Sequence, residues 1–208
     1  MNNKINYFYN IKKEAENKKI LFRIGYKSGI TKISKKDEKE INLMIKKSKN
    51  LCSLKGAYSR FKIFKNKDKI FFNKKIFIKS KNLSKLLIDS DEVVLMAATV
   101  GQEIINERDK QMKNGDPVYS IILDATASET ADAGLDWIQD FLNTILAKNG
   151  MQLTRRYSPG YGDLDISVQK IIYKKLDLKK IGIRITKKYL LIPEKSVLAI
   201  AGIIKTEN

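Results

Sequence analysis

Two runs, Val93 to Val100 and Val197 to Ile204, hold eight residues each and not one charge. Such a run reads as a strand buried in the interior, without the alternation of a strand that has one wet face. An interior strand commits the chain to a sheet covered by other elements, and the remaining sequence must supply that cover. Both runs fall far short of the roughly 20 apolar residues that cross a bilayer. Met1 to Asn10 also lacks the apolar centre of a signal peptide. The expected location is therefore the cytoplasm, with no membrane partner.

The covering elements show in the periodicity. Residues 4–18 mix aromatics with lysines and are expected to be helical, so residues 1–19 form an N-terminal helical extension of a single domain spanning 1–208. A second helix begins after Ser34, a good N-cap, with Asp37 and Glu38 in its first turn and Ile41, Met44, Ile45 and Leu51 at helical spacing. From Ala57 to Ile78 the period shortens. Phenylalanine- and isoleucine-rich runs separated by Asn66-Lys67-Asp68-Lys69 and Asn73-Lys74-Lys75 predict antiparallel strands with tight turns. A short helix is expected over 82–90. Residues 102–147 read as helical, with breaks at Gly115-Asp116-Pro117 and around Ser128, and a further helix falls within 166–176. Strands at 182–186 and 197–203 close the chain. Helices grouped apart from hairpin-like strands indicate an α+β fold, a mixed or antiparallel twisted sheet with packed helices.

Residue types that are missing exclude much chemistry. The chain has no histidine, and Cys52 is its only cysteine. A Cys/His zinc site, a histidine-based catalytic triad and an intrachain disulfide therefore cannot be built. Cys52 follows Leu51 at the end of a helical pattern and reads as an inert, buried thiol.

The net charge of +18 raises nucleic acid as a partner, but its distribution weakens that reading. Residues 1–90 carry +18, 91–150 carry −7 and 151–208 carry +7. Only six of the basic residues are arginine; the rest are lysines in the company of asparagine and isoleucine, as a composition bias would produce. Lysines spread over solvated faces do not make base-reading contacts. A basic nucleic-acid-binding protein is kept as the alternative reading. A self-contained methyltransferase of the Rossmann type is a third, and it lacks the Gly-x-Gly-x-x-Gly turn that such a site needs.

The segment Arg156-Tyr157-Ser158-Pro159-Gly160-Tyr161-Gly162-Asp163 concentrates the binding chemistry. Pro159 fixes φ, while Gly160 and Gly162 accept positive φ, so the backbone can fold against a ligand. Arg156 can grip a carboxylate through two parallel hydrogen bonds, and Tyr161 offers a flat apolar face with a polar tip. Upstream, Asp132, Asp136 and Asp140 recur at i, i+4, i+8 on one helix face with no interleaved base, which leaves either a solvated face or an acid that receives a cationic group.

Arg156-Tyr157-Ser158-Pro159-Gly160-Tyr161 resembles the Arg-x-x-Pro-Gly-Tyr segment of the activation, or reactivation, domain of cobalamin-dependent methionine synthase. Three further pieces agree in order. Leu21 to Tyr26 is similar to the family's Leu-Arg-Tyr-Leu-Gly-Tyr opening, Ala98-Thr99-Val100-Gly101 to its Thr-Leu-Gly strand end, and Pro193-Glu194-Lys195-Ser196-Val197 to its Pro-x-x-Ser-Val strand. The resemblance spans residues 20–204 and is strongest to free-standing forms of the domain. Two departures stand out. Gly162-Asp163-Leu164-Asp165 replaces the family's Pro-Ala-Cys-Pro, and Ala201 stands at an aromatic position of the last strand.

The resemblance implies S-adenosylmethionine as ligand and a methyl transfer to reduced cobalamin carried by a partner. That partner is a cobalamin-binding methionine synthase or another corrinoid protein, with a flavodoxin-like or other reductase supplying the electron. On this reading Arg156 holds the amino-acid carboxylate, and Asp132, or next Asp136, faces the α-ammonium. Ser158, Pro159, Gly160, Tyr161, Gly162 and Ala201 complete the ligand set. No catalytic residue and no protein-bound metal are expected, so the chain is a non-autonomous part of a methyltransferase reaction.

Overall fold

A computed structural model describes residues 4–206. Its centre is β6 (Glu92–Thr99), the first of the two uncharged runs, hydrogen-bonded along its full length on both sides. The strands that lead up to it are β1 (Asn6–Phe8), β2 (Lys55–Lys62), β3 (Phe64–Asn66), β4 (Lys69–Phe71) and β5 (Phe77–Lys79). After it come β7 (Met151–Leu153), β8 (Arg184–Ile185), β9 (Leu191–Ile192) and β10 (Ser196–Lys205). The main sheet has five strands in the order β1-β2-β6-β10-β7, and every neighbouring pair is antiparallel. A three-stranded sheet β3-β4-β5 and the two-stranded β8-β9 stand apart from it.

The helices are α1 (Asn17–Arg23), α2 (Lys35–Asn50), α3 (Lys81–Leu86), α4 (Glu103–Lys113), α5 (Pro117–Ala147) and α6 (Val168–Lys175). Side chains alternate across a strand, so β6 and β10 feed two cores at once. Val94, Met96 and Ala98 with Ala199, Ala201 and Ile203 meet Ala127, Ala131, Leu135 and Ile138 of α5 on one face. Val93, Leu95, Ala97, Leu198 and Ile200 meet Leu83, Leu87, Leu164, Ile172 and Leu176 on the other. This double burial explains why both runs are uncharged throughout.

Helix α5 lies close on the sheet because small residues line its contact. A Cβ added at Gly134 would sit 3.0 Å from Ala98 Cβ and 2.8 Å from Leu54 Cδ1. The same packing corrects the expected break near Ser128: α5 runs 31 residues without interruption. Its starting signals are Asp116, whose carboxylate accepts from Tyr119 N at 2.9 Å, and Pro117 in the first turn. Nothing at Ser128 competes with the tertiary contacts of Ala127 and Ala131 on either side. Ser34 caps α2 as expected, accepting from Asp37 N at 3.1 Å.

The N-terminal helix is the second correction. Residues 6–8 form β1 against β2, and among the described residues no helix begins before Asn17; the first three residues of the expected extension lie outside the described ones. Phe8 explains the strand: it is wedged edge-on against Trp137 at 4.9 Å and Phe141 at 5.4 Å, while Tyr7, on the opposite side, donates to Leu176 O at 3.1 Å. Period-two burial of these rings outweighs the local helical pattern. Strand β7 was not anticipated at all.

Candidate functional site

The chain beyond β7 stays beside β10. Thr154 N donates to Gly202 O at 2.9 Å, and Tyr157 and Ile200 exchange both backbone hydrogen bonds, at 2.8 and 2.9 Å. Held in this extended path, Arg156 and Tyr157 take opposite sides of the sheet. Tyr157 packs in the core beside α6. Arg156 reaches the α5 side, where its Nη2 donates to Asp136 Oδ1 at 2.6 Å.

Arg156 and Asp136 share a groove of about 490 Å³. One wall is the segment carrying Lys13, Glu14, Glu16 and Lys19; the other is α5, through Glu129, Asp136, Gln139 and Asp140, with Arg155 beside Arg156. The Arg156 guanidinium is only partly satisfied. Its Nη1 is buried and has no hydrogen-bond acceptor among the described residues. A buried guanidinium N–H without an acceptor is costly, and a ligand carboxylate would satisfy it.

Asp132 lies one turn from Asp136 but outside the residues that line this groove. Burial pushes its carboxyl above the ordinary aspartate range, Arg23 opposes that shift and Glu129 adds to it. Arg23 Nη2 stands 3.7 Å from Asp132 and its Nε bonds Glu129 at 2.5 Å, so the base opposite this pair is the last residue of α1, while Arg156 serves Asp136. Ala201 is fully buried beneath α5. It is an interior packing position and does not line the groove, contrary to its expected place in the ligand set.

The Pro-Gly turn is tied to the other face of the sheet. Gly160, at φ 93°, donates to Leu164 O at 2.8 Å, and Pro159 is buried. Gly162, at φ 54°, sits directly on the Tyr157 hydroxyl, where no Cβ would fit. Asp163 then reaches the start of α3, accepting from Ser80 Oγ and Lys81 N, each at 2.6 Å, and from Asn82 N at 3.3 Å. The Ser80 hydroxyl donation, helped by those backbone N–H groups, holds the Asp163 carboxyl below its ordinary range. The segment that departs from the family's pattern therefore acts as a latch. Tyr161 projects outward, 70% exposed, and Ser158 is half-buried at the base of the turn.

The structure thus brings Arg156 and Asp136 together and sets Ser158 to Gly162 on the adjoining turn. Sequence reasoning missed Glu14, Glu16, Glu129 and Gln139. The first two lie in an extended stretch without periodicity, and only Glu129, three residues before Asp132, carried a usable signal. Cys52 takes no part: burial raises its thiol pKa to about 11, which keeps it protonated and unreactive near neutral pH.

No protein-family model and no curated protein matches the chain. Among solved structures it is similar to the crystal structure of the MetH reactivation domain bound to AdoHcy, with a TM-score of 0.69 and 14% identity over 96% of this chain and 78% of that one. At such low identity the likeness establishes the fold: helices packed on a curled antiparallel sheet, as in the reactivation domain. None of the described helices is long and apolar enough to cross a membrane.

Proposed function

We propose that this chain binds S-adenosylmethionine and presents it for reductive methylation of the cobalamin of a partner, a methionine synthase or related corrinoid protein, with a flavodoxin-like or other reductase supplying the electron. The observation that carries the reading is Arg156. Its Nη2 is held by Asp136 while its Nη1 is buried and has no acceptor among the described residues, so the guanidinium keeps an unmet donor that a carboxylate entering beside Asp136 would satisfy. The fold supports the choice of ligand, since the structurally similar reactivation domain was solved with AdoHcy.

The residues fit such a ligand. A groove of about 490 Å³ lies in the range of small-molecule sites. Arg156 takes the amino-acid carboxylate, and Asp136, with Asp132 one turn away, takes the α-ammonium. Ser158, Pro159, Gly160, Tyr161 and Gly162 do not line this groove; they follow Arg156 on the turn tied to the other face, so only a ligand that extends past Arg156 would reach the turn's backbone carbonyls. S-adenosylmethionine supplies the electrophilic methyl group, and the protein's part is to orient it, which is a large term when two reactants must meet in line.

Calorimetric titration of S-adenosylmethionine into wild type and Arg156→Ala tests the reading. Micromolar binding that weakens about tenfold or more in the variant is expected from losing a charge-assisted pair. Absence of binding by both proteins would overturn it.

A further inference from the structure

The small sheet β3-β4-β5 has an outer face that the reading above leaves unused. Its inner face is buried through Ile70 and Ile78. On the outer face, cross-strand register places Phe64, Phe71 and Phe77 in one row and Asn66, Lys69 and Lys79 in the next. Phe64 and Phe71 stack at 4.9 Å with 3° between their planes, and Phe77 lies 5.3 Å from Phe71, tilted by 38°. A ring spacing equal to the distance between strands, about 4.8 Å, means that the rings stand on edge and present a ridge of rims. Lys69 Nζ sits 5.0 Å from the Phe77 ring centre.

This ridge is open. Phe64 is 51% exposed and Phe77 42%, with Ile76 beside them at 37%. Lys67, Lys74 and Lys75 are exposed at the hairpin ends, and Asp68 is turned toward Lys79 at 3.8 Å. A contiguous apolar row rimmed by like charge marks an interaction surface. The ridge also adjoins the ligand turn. Strand β5 leads directly into Ser80, Lys81 and Asn82, the residues that hold Asp163, two positions from exposed Tyr161.

We propose that the Phe64-Phe71-Phe77 row and its lysine row form the docking face for an acidic protein surface with an apolar cleft, namely the corrinoid-bearing partner; this rests on the function proposed above. A second copy of the chain fits poorly, because two lysine rows would oppose each other. Single-stranded nucleic acid fits less well, since stacking of bases needs open ring faces, whereas Phe64 and Phe71 cover each other and Lys69 sits over the Phe77 ring. Continuity with the Tyr161 turn favours the partner that must reach the bound methyl donor.

The test measures binding of purified, cobalamin-loaded methionine synthase from the same cells to the full chain, beside S-adenosylmethionine calorimetry. The variants are Phe64→Ser/Phe77→Ser and Lys69→Glu/Lys79→Glu, which leave Ile70 and Ile78 in place. Expected are unchanged S-adenosylmethionine affinity, partner affinity about tenfold weaker or worse in both variants, and wild-type partner binding that weakens with salt. Equal partner binding by wild type and both variants would overturn the proposal. So would no partner binding at all, or ridge-dependent binding of phosphatidylserine-rich vesicles or oligo(dT) in its place. If wild type binds the partner through the ridge but not S-adenosylmethionine, the functional reading falls and the docking face stands.

Discussion

Asp163 shows how much one side chain can set in this molecule. Its carboxylate joins a turn that follows Arg156 to the first residues of α3, and it does so through three donors: a hydroxyl and two successive backbone N–H groups. Because the charged form is the one being bonded, its folded pKa lies below its unfolded value, so this contribution is present above about pH 4 and lost as pH falls through the lower, folded value. Asp163→Asn keeps the shape and removes the charge. The expected result is weaker S-adenosylmethionine binding at neutral pH and a smaller fall in affinity below about pH 4 than in wild type. Calorimetry across pH reads both, and wild-type affinity in the variant would show that the turn holds without its latch.

At the scale of elements, what was legible in the sequence were features carried by one segment alone. The cap at Ser34, the Asp116-Pro117 start of α5 and the two uncharged runs each state their structure locally, and the structure keeps them. The three-residue strands β1 and β7 were not legible, because they lack the repeated apolar runs and turn residues that announced β3 to β5 and owe their form to rings and strands elsewhere. The candidate site divides the same way. The Arg156 turn announces itself, whereas its pairing with Asp136, 20 residues earlier, exists only after α5 is laid on the sheet. That laying-down has its own test. Gly134 faces Ala98 Cβ, a strand atom with no freedom to retreat. Gly134→Val gains helix propensity yet must push α5 off the sheet, and a net loss of about 1–3 kcal/mol is expected by denaturant titration. An unchanged or raised stability would mean that the helix yields easily.

Over the whole molecule, one sheet separates two kinds of surface. The α5 face bears the groove with Arg156, and the opposite face bears the latch, the Tyr157 ring and, next to them, the aromatic ridge. Arg156 and Tyr157 are consecutive residues, and the strand-like path beside β10 sends them to opposite sides. A ligand held by Arg156 therefore bears on a segment pinned to both cores, so its binding energy resists global unfolding rather than local fraying. Linkage gives the size: ligand at a hundred times its dissociation constant adds about 2.7 kcal/mol, which for a domain of this length shifts the thermal midpoint by about 5–10 °C. Scanning fluorimetry with S-adenosylmethionine should show that shift in wild type, about half of it or less in Arg156→Ala at the same concentration, and a full shift in Phe64→Ser/Phe77→Ser. A full shift in Arg156→Ala would place the ligand elsewhere on the molecule, and a lost shift in the ridge variant would mean that the two faces are coupled through the latch.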